Sequence, residues 1–205
     1  MTTYPVSMPS NNIESAVLKM QFANAMNGSP FSFISQVYDW GGAKWVIDFT
    51  LPLMKRETVE PWIAFALSLR GMKGTFLAGD PSAQTPRGVG GGTPLVNGAS
   101  QTGSALIIDG APISTTGWLK AGDYFQLGTG VNSRLHKLIS DANTNGTGQV
   151  TLDFVPDLRS SPADNAAITI TSAKGVFRLA SNETAWTANS AGRIYNFSFQ
   201  ATEVL

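Results

Sequence analysis

The chain predicts a mainly β protein with a minor helical part (α+β minor): one β domain carrying a single helix, with a small β-barrel or sandwich domain inserted into it. Three observations carry this expectation. Apolar and polar residues alternate near both ends of the 205 residues, and one segment alone switches to a 3.6-residue period. Between them, a Gly- and Pro-rich stretch opens a run of short strand-like segments bounded by turn residues.

The first alternating segment is Ala16–Phe22. Ala16, Leu18, Met20 and Phe22 are apolar, Lys19 and Gln21 fall between them, and only Val17 breaks the phase. Period two puts alternate side chains on one face of a strand. Asn27-Gly28-Ser29-Pro30 then reads as a turn, a second strand is expected over Phe31–Trp40, and Asp39-Trp40-Gly41-Gly42 as the turn that closes it. A third strand sets Trp45, Ile47, Phe49 and Leu51 on one side and stops at Pro52. Neighbours this near in sequence predict an antiparallel meander.

Lys55–Arg70 changes period. Val59, Trp62, Ile63, Ala66 and Leu67 recur at three- and four-residue steps, one face of a helix. Phe65 and Leu69 add a second stripe, so the C-terminal half is expected to be buried nearly all round. Thr58 can cap the helix if it starts there, with Pro61 in its first turn, where a missing N–H costs little. Gly71 stands where a helix ends on a left-handed residue. Gly74–Leu77 returns to extended chain, and Gly79-Asp80-Pro81 reads as a turn.

Thr85–Gly103 holds six glycines with Pro86 and Pro94, which predicts a loop leading into another domain. Short strands are expected at Ala105–Ile108, Phe125–Leu127, Leu135–Ile139, Gln149–Phe154 and Ala167–Thr171, the spacing of a small barrel or sandwich. Gly175–Leu179 leads out, and Tyr195–Val204 alternates again as a closing strand. The expected division is therefore 1–84, an insertion over 85–174, and return strands over 175–205.

Composition narrows the function classes. Hydrophobic residues make up 42% and charged residues only 14%, against about 25% charged in ordinary domains. A charge-poor surface suits faces that end against other subunits, and equally a Ser/Thr/Asn-rich exposed surface. The 14 basic and 14 acidic residues balance to zero, so no direct nucleic-acid binding is expected, since that needs a basic face. Without cysteine there is no disulfide framework, thiolate metal site or thiol nucleophile. Neither a secretory leader nor a membrane span is expected, because no apolar run approaches about 18 residues.

Candidate chemistry is sparse. His136 is the only histidine and sits in an apparent strand beside Leu135, so a structural role is preferred to a catalytic or metal role. Asp109, Asp123 and Asp141 adjoin glycines or turns, where aspartate bonds nearby backbone, and their spacing does not fit an EF-hand. Gly88-Val89-Gly90-Gly91-Gly92 lacks the Lys-Ser/Thr of a phosphate loop, so flexible linkage or a subunit contact is expected. Among the tryptophans, Trp40, Trp45, Trp62, Trp118 and Trp186, the periodic Trp45 and Trp62 are assigned to the core. Trp118 and Trp186 lie in Gly/Ser/Thr-rich surroundings and are expected at the surface, serving packing or an interface before sugar stacking. No catalytic, cofactor-binding or metal-ligating residue is assigned, and no enzyme is expected.

Several segments together resemble the tailed-bacteriophage distal-tail family of structural proteins. They are Ser29-Pro30-Phe31, Asp39-Trp40-Gly41-Gly42-Ala43-Lys44-Trp45, Leu51-Pro52-Leu53-Met54, Trp62-Ile63-Ala64-Phe65, Leu69-Arg70-Gly71 and Gly74-Thr75-Phe76. Further along come Leu119-Lys120-Ala121-Gly122-Asp123, Arg134-Leu135-His136-Lys137, Phe154-Val155-Pro156-Asp157-Leu158-Arg159 and Phe199-Gln200-Ala201-Thr202-Glu203. The resemblance implies a subunit of a hexameric ring that joins the tail tube to the tail-tip or receptor-binding apparatus. It implies a ring-forming, belt-like domain with a β-rich appendage, partners that are further copies of the chain together with tail-tube and tail-tip or hub proteins, and a place in the virion tail after assembly in the host cytoplasm. The alternative expectation is a carbohydrate-binding module for host recognition, which requires Trp118 or Trp186 exposed in a groove. A cell-wall hydrolase would need an acid/base carboxylate pair, and none stands out.

Overall fold

A computed structural model describes residues 3–9, 12–190 and 194–205; positions 1–2, 10–11 and 191–193 of the expected first and last spans lie outside the described residues. Among the described residues the protein is mainly β, with one α-helix and two sheets. The first sheet takes β1 (Val6–Ser7), β2 (Ser15–Gly28), β3 (Ser35–Thr50), β4 (Met54–Lys55) and β5 (Phe76–Ala78) from the early chain. It adds β12 (Gly175–Leu179), β13 (Trp186–Asn189) and β14 (Ile194–Glu203) from the end. The segment between them forms the second sheet: β6 (Leu95–Val96), β7 (Gly103–Asp109), β8 (Tyr124–Leu127), β9 (Arg134–Leu138), β10 (Val150–Leu158) and β11 (Ile168–Thr169).

The larger sheet runs β1-β5-β12-β14-β3-β2, with β4 and β13 also paired to β14. Only β1 and β5 are parallel. Strand β14 is the hub: β3 pairs with Ser198–Thr202, β12 with Ala201–Glu203, and β13 with Ile194–Phe197. Its alternation turns Phe197 and Ala201 into the core, as period two requires.

Helix α1 (Arg56–Ser68) lays Val59, Trp62, Ile63, Phe65 and Ala66 on this sheet. The Phe65 ring meets Phe76 edge-on at 5.3 Å, and Trp62 lies 6.3 Å from Phe199. Full burial of side chains this size contributes roughly 1.5–3 kcal/mol each. Three expectations for the helix need correcting. It begins at Arg56, after Lys55, so Thr58 lies in its first turn and caps nothing. Pro61 consequently sits inside the helix, where it removes a backbone donor. Leu67 points outward and is exposed, so the C-terminal half is not buried all round. Past the helix end, Arg70 and Gly71 are both left-handed (φ 53° and 67°). A Cβ on Gly71 would also strike Asn182 Oδ1 at 2.7 Å, so glycine is needed there twice over.

The expected turn at Asp39–Gly42 is a bulge inside one continuous strand. β2 and β3 form a single long hairpin, in register from Ser15 opposite Thr50 to Phe22 opposite Ala43, and again from Asn24 opposite Asp39 to Gly28 opposite Ser35. Trp40, Gly41 and Gly42 face the lone Ala23, and Gly41 takes φ 66° while its N–H donates to Asp39 Oδ1 at 2.8 Å. Extra residues on one strand sharpen twist and bend the ribbon. The true reversal is at Ser29–Ile34, where Ser29 N–H donates to Ile34 O at 3.0 Å.

The second sheet runs β11-β8-β9-β10-β7-β6 and curls into a nearly closed barrel, its ends joined by the Leu95–Ala167 bridge. Its own core holds Leu106, Ile108, Trp118, Phe125, Leu152 and Phe154. The two sheets are tied together side by side. Tyr124 and Leu135, from the outer face of β8 and β9, belong to the core of the larger sheet. Trp45 Nε1 donates to Leu135 O at 2.9 Å, and Val176 N–H to Ser133 O at 3.2 Å.

Candidate functional site

Beyond the bulge, the β2–β3 hairpin leaves the body of the protein as a two-stranded arm. Phe31 is 95% exposed, Phe33 88% and Trp40 69%, and Met26, Ile34 and Val37 are exposed beside them. Between Ala23 and Gly42 the only charged side chain is Asp39. Ser29 Oγ holds the tip by accepting from Phe31 N–H at 3.3 Å and Ser32 N–H at 3.4 Å. Isolated apolar side chains on a surface are ordinary, but a contiguous patch on a projecting element marks a contact surface. A two-stranded ribbon has no core of its own, so these rings gain burial only against something else.

The aromatic assignments separate under the structure. Trp45 and Trp62 are in the core as expected. Trp118, expected at the surface, is fully buried, its Nε1 donating to Gly91 O at 3.1 Å. What covers it is the glycine stretch. Val89 N–H donates to Gly117 O at 3.0 Å, Gly90 N–H to Trp118 O at 2.8 Å, and a Cβ on Gly88 would lie 2.3 Å from Trp118 O. That segment is therefore packed backbone to backbone on the barrel rather than a flexible linkage. Trp186 is 43% exposed and lines a groove of about 500 Å³ with Glu183, Asn196 and Gln200.

The carboxylates hold loops. Asp123 is buried and accepts from Arg87 N–H at 2.7 Å, Gly88 N–H at 3.1 Å and Lys120 N–H at 2.9 Å, which pins the chain as it enters the barrel. Asp141 accepts from Ala121 N–H at 2.8 Å, and Asp109 closes β7 before left-handed Gly110. Among the described residues no three His, Asp or Glu side chains converge on a metal-sized space, and no helix is long and apolar enough to cross a membrane.

His136 is buried inside the barrel, stacked on Phe125 at 5.1 Å and edge-on to Phe154 at 4.9 Å. Burial pushes its pKa down to about 4, with the Arg159 and Arg134 charges acting the same way and the Pro156 carbonyl opposing. Glu203 is not among the candidate residues that the sequence singles out. It is buried, and its Oε2 accepts from Trp45 N–H at 3.0 Å and from Arg159 at 2.9 Å. The signal was present, because Glu203 keeps the inward phase of Phe197 and Ala201.

No protein-family model matches the chain, and no curated protein matches it.

Proposed function

We propose that the protein is a structural subunit that works by assembly: a ring-forming component of a tailed-phage tail, placed between the tail tube and the tail-tip or receptor-binding apparatus. The observation that carries this reading is the arm, an almost uncharged hairpin whose aromatic side chains Phe31, Phe33 and Trp40 are left exposed among the described residues. The segment resemblance supplies the phage-tail placement and the hexameric count. A cyclic ring needs a heterologous interface, in which one face of each subunit meets a different face of the next. An arm reaching from one copy to its neighbour meets that requirement. No enzymatic role is proposed.

Native mass spectrometry of the full chain tests the assembly. A closed oligomer is expected, and Phe31→Ser combined with Phe33→Ser is expected to shift it toward monomer with the fold of each copy unchanged by circular dichroism, since both rings are exposed within one copy. A wild-type protein that stays monomeric at high concentration and is missing from phage particles would sink the proposal. The carbohydrate reading is favoured by one observation alone, the half-exposed Trp186 in its groove with Glu183, Asn196 and Gln200. Glycan binding that Trp186→Ala abolishes would support it.

A further inference from the structure

At one end of the barrel a cleft of about 390 Å³ opens between Gly128 just after β8, Arg134 at the start of β9, and the Arg159–Ala163 loop after β10. Barrel mouths of this size are favoured places for small ligands. His136 also lines the cleft, although it is only 2% exposed. Its Nδ1 lies 2.8 Å from Pro156 O. A carbonyl only accepts, so Nδ1 carries the proton and Nε2 presents a bare lone pair. That Nε2 is buried without a hydrogen-bond partner.

Two cations share the cleft with it. Arg159 spends one guanidinium nitrogen on Glu203 Oε2 and Ala43 O, and Arg134 gives one to Val204 O at 3.2 Å. A guanidinium has five N–H donors, so both keep some in reserve. No carboxylate lines the cleft to take them up. The surroundings therefore offer positive donors on one side and a single shielded acceptor on the other.

We propose that the barrel mouth binds a small hydroxylated oxyanion, its anionic oxygens held by Arg134 and Arg159 and its O–H donating to His136 Nε2. Uncharged sugars lack the first feature and simple carboxylates the second. The acid has two sources, a sugar carboxylate or a phosphate ester. Nε2 is shut off from bulk water, so the proposed hydrogen bond requires side chains that line the cleft to move aside as the ligand enters. The site is independent of the arm and stands or falls apart from ring formation.

A single histidine makes the test direct, because its two ring nitrogens give one unambiguous pair of ¹⁵N resonances. The full chain, ¹⁵N-labelled, is titrated at constant ionic strength with glucuronate and, separately, glucose 6-phosphate; acetate and methyl glucoside are the controls. The expected result is a saturable movement of the Nε2 resonance with at least one of the two acids, which identifies the source. Acetate and methyl glucoside should leave it in place. Arg134→Gln should weaken binding roughly tenfold or more, the loss of a charged hydrogen bond; if that variant does not fold, Arg134→Lys should show a smaller loss. An Nε2 signal indifferent to both acids, or one that moves equally with methyl glucoside, overturns the site.

Discussion

His136 shows what a buried ionisable group does to stability. Its pKa in the folded chain, about 4, lies below the ordinary imidazole value of 6.5. The unfolded chain therefore takes up the proton first as the solution is acidified. The stability held by the neutral ring is complete above pH 6.5 and is lost as pH falls toward 4, a contribution of about 3 kcal/mol. Urea unfolding followed from pH 7 to pH 4 should show this loss on top of that of the carboxylates, and His136→Phe should flatten it by a comparable amount. An identical pH slope in that variant would contradict the assignment. The strand setting of His136 beside Leu135 was legible in the sequence. The burial of Trp118 was not: Ser114–Gly117 before it are small or polar, and what covers it is backbone from residues 88–91, nearly thirty positions earlier.

At the scale of elements, the long periodic segments were readable and the short ones were not. Strands β3 and β14 and helix α1 announce themselves by repeated apolar spacing. Two-residue strands such as β1, β4 and β6 are too short to have a period, and exist because a neighbour offers an edge. The Asp39–Gly42 segment misled for a different reason. Asp-x-Gly-Gly chemistry suits any left-handed kink, and here the long partner strand β2 turns the kink into a bulge instead of a reversal. Likewise the Gly88–Gly92 stretch has the composition of a linker and the hydrogen bonds of a packed segment. Limited proteolysis separates the two cases: first cuts are expected at the Ser29–Ile34 tip, with the Gly88–Gly92 stretch resistant. Early cleavage between Gly88 and Gly92 would mean the barrel does not hold it.

For the molecule as a whole, the junction between the sheets decides whether they move together. Glu203 on β14 is buried, and Arg159, just after β10, is its cationic partner. Removing one partner of a fully buried pair costs about 3–5 kcal/mol, but Arg159 is partly exposed, so about 2 kcal/mol is the expected loss for Arg159→Ala. A urea midpoint equal to wild type would show that the pair does not couple the sheets. Nothing in the local sequence of either residue indicates this pairing, because it joins positions brought together only when both sheets are complete.

The position of β14 also sets an order of events during synthesis. It is the last strand along the chain, yet it lies in the middle of the larger sheet, between β12 and β3. The barrel has all its strands once Thr169 has left the ribosome, whereas the sheet that anchors the arm stays open until Ile194–Glu203 emerges. A nascent chain therefore carries every strand of the barrel while the sheet at the base of its apolar hairpin still lacks the strand that joins β3 to β12.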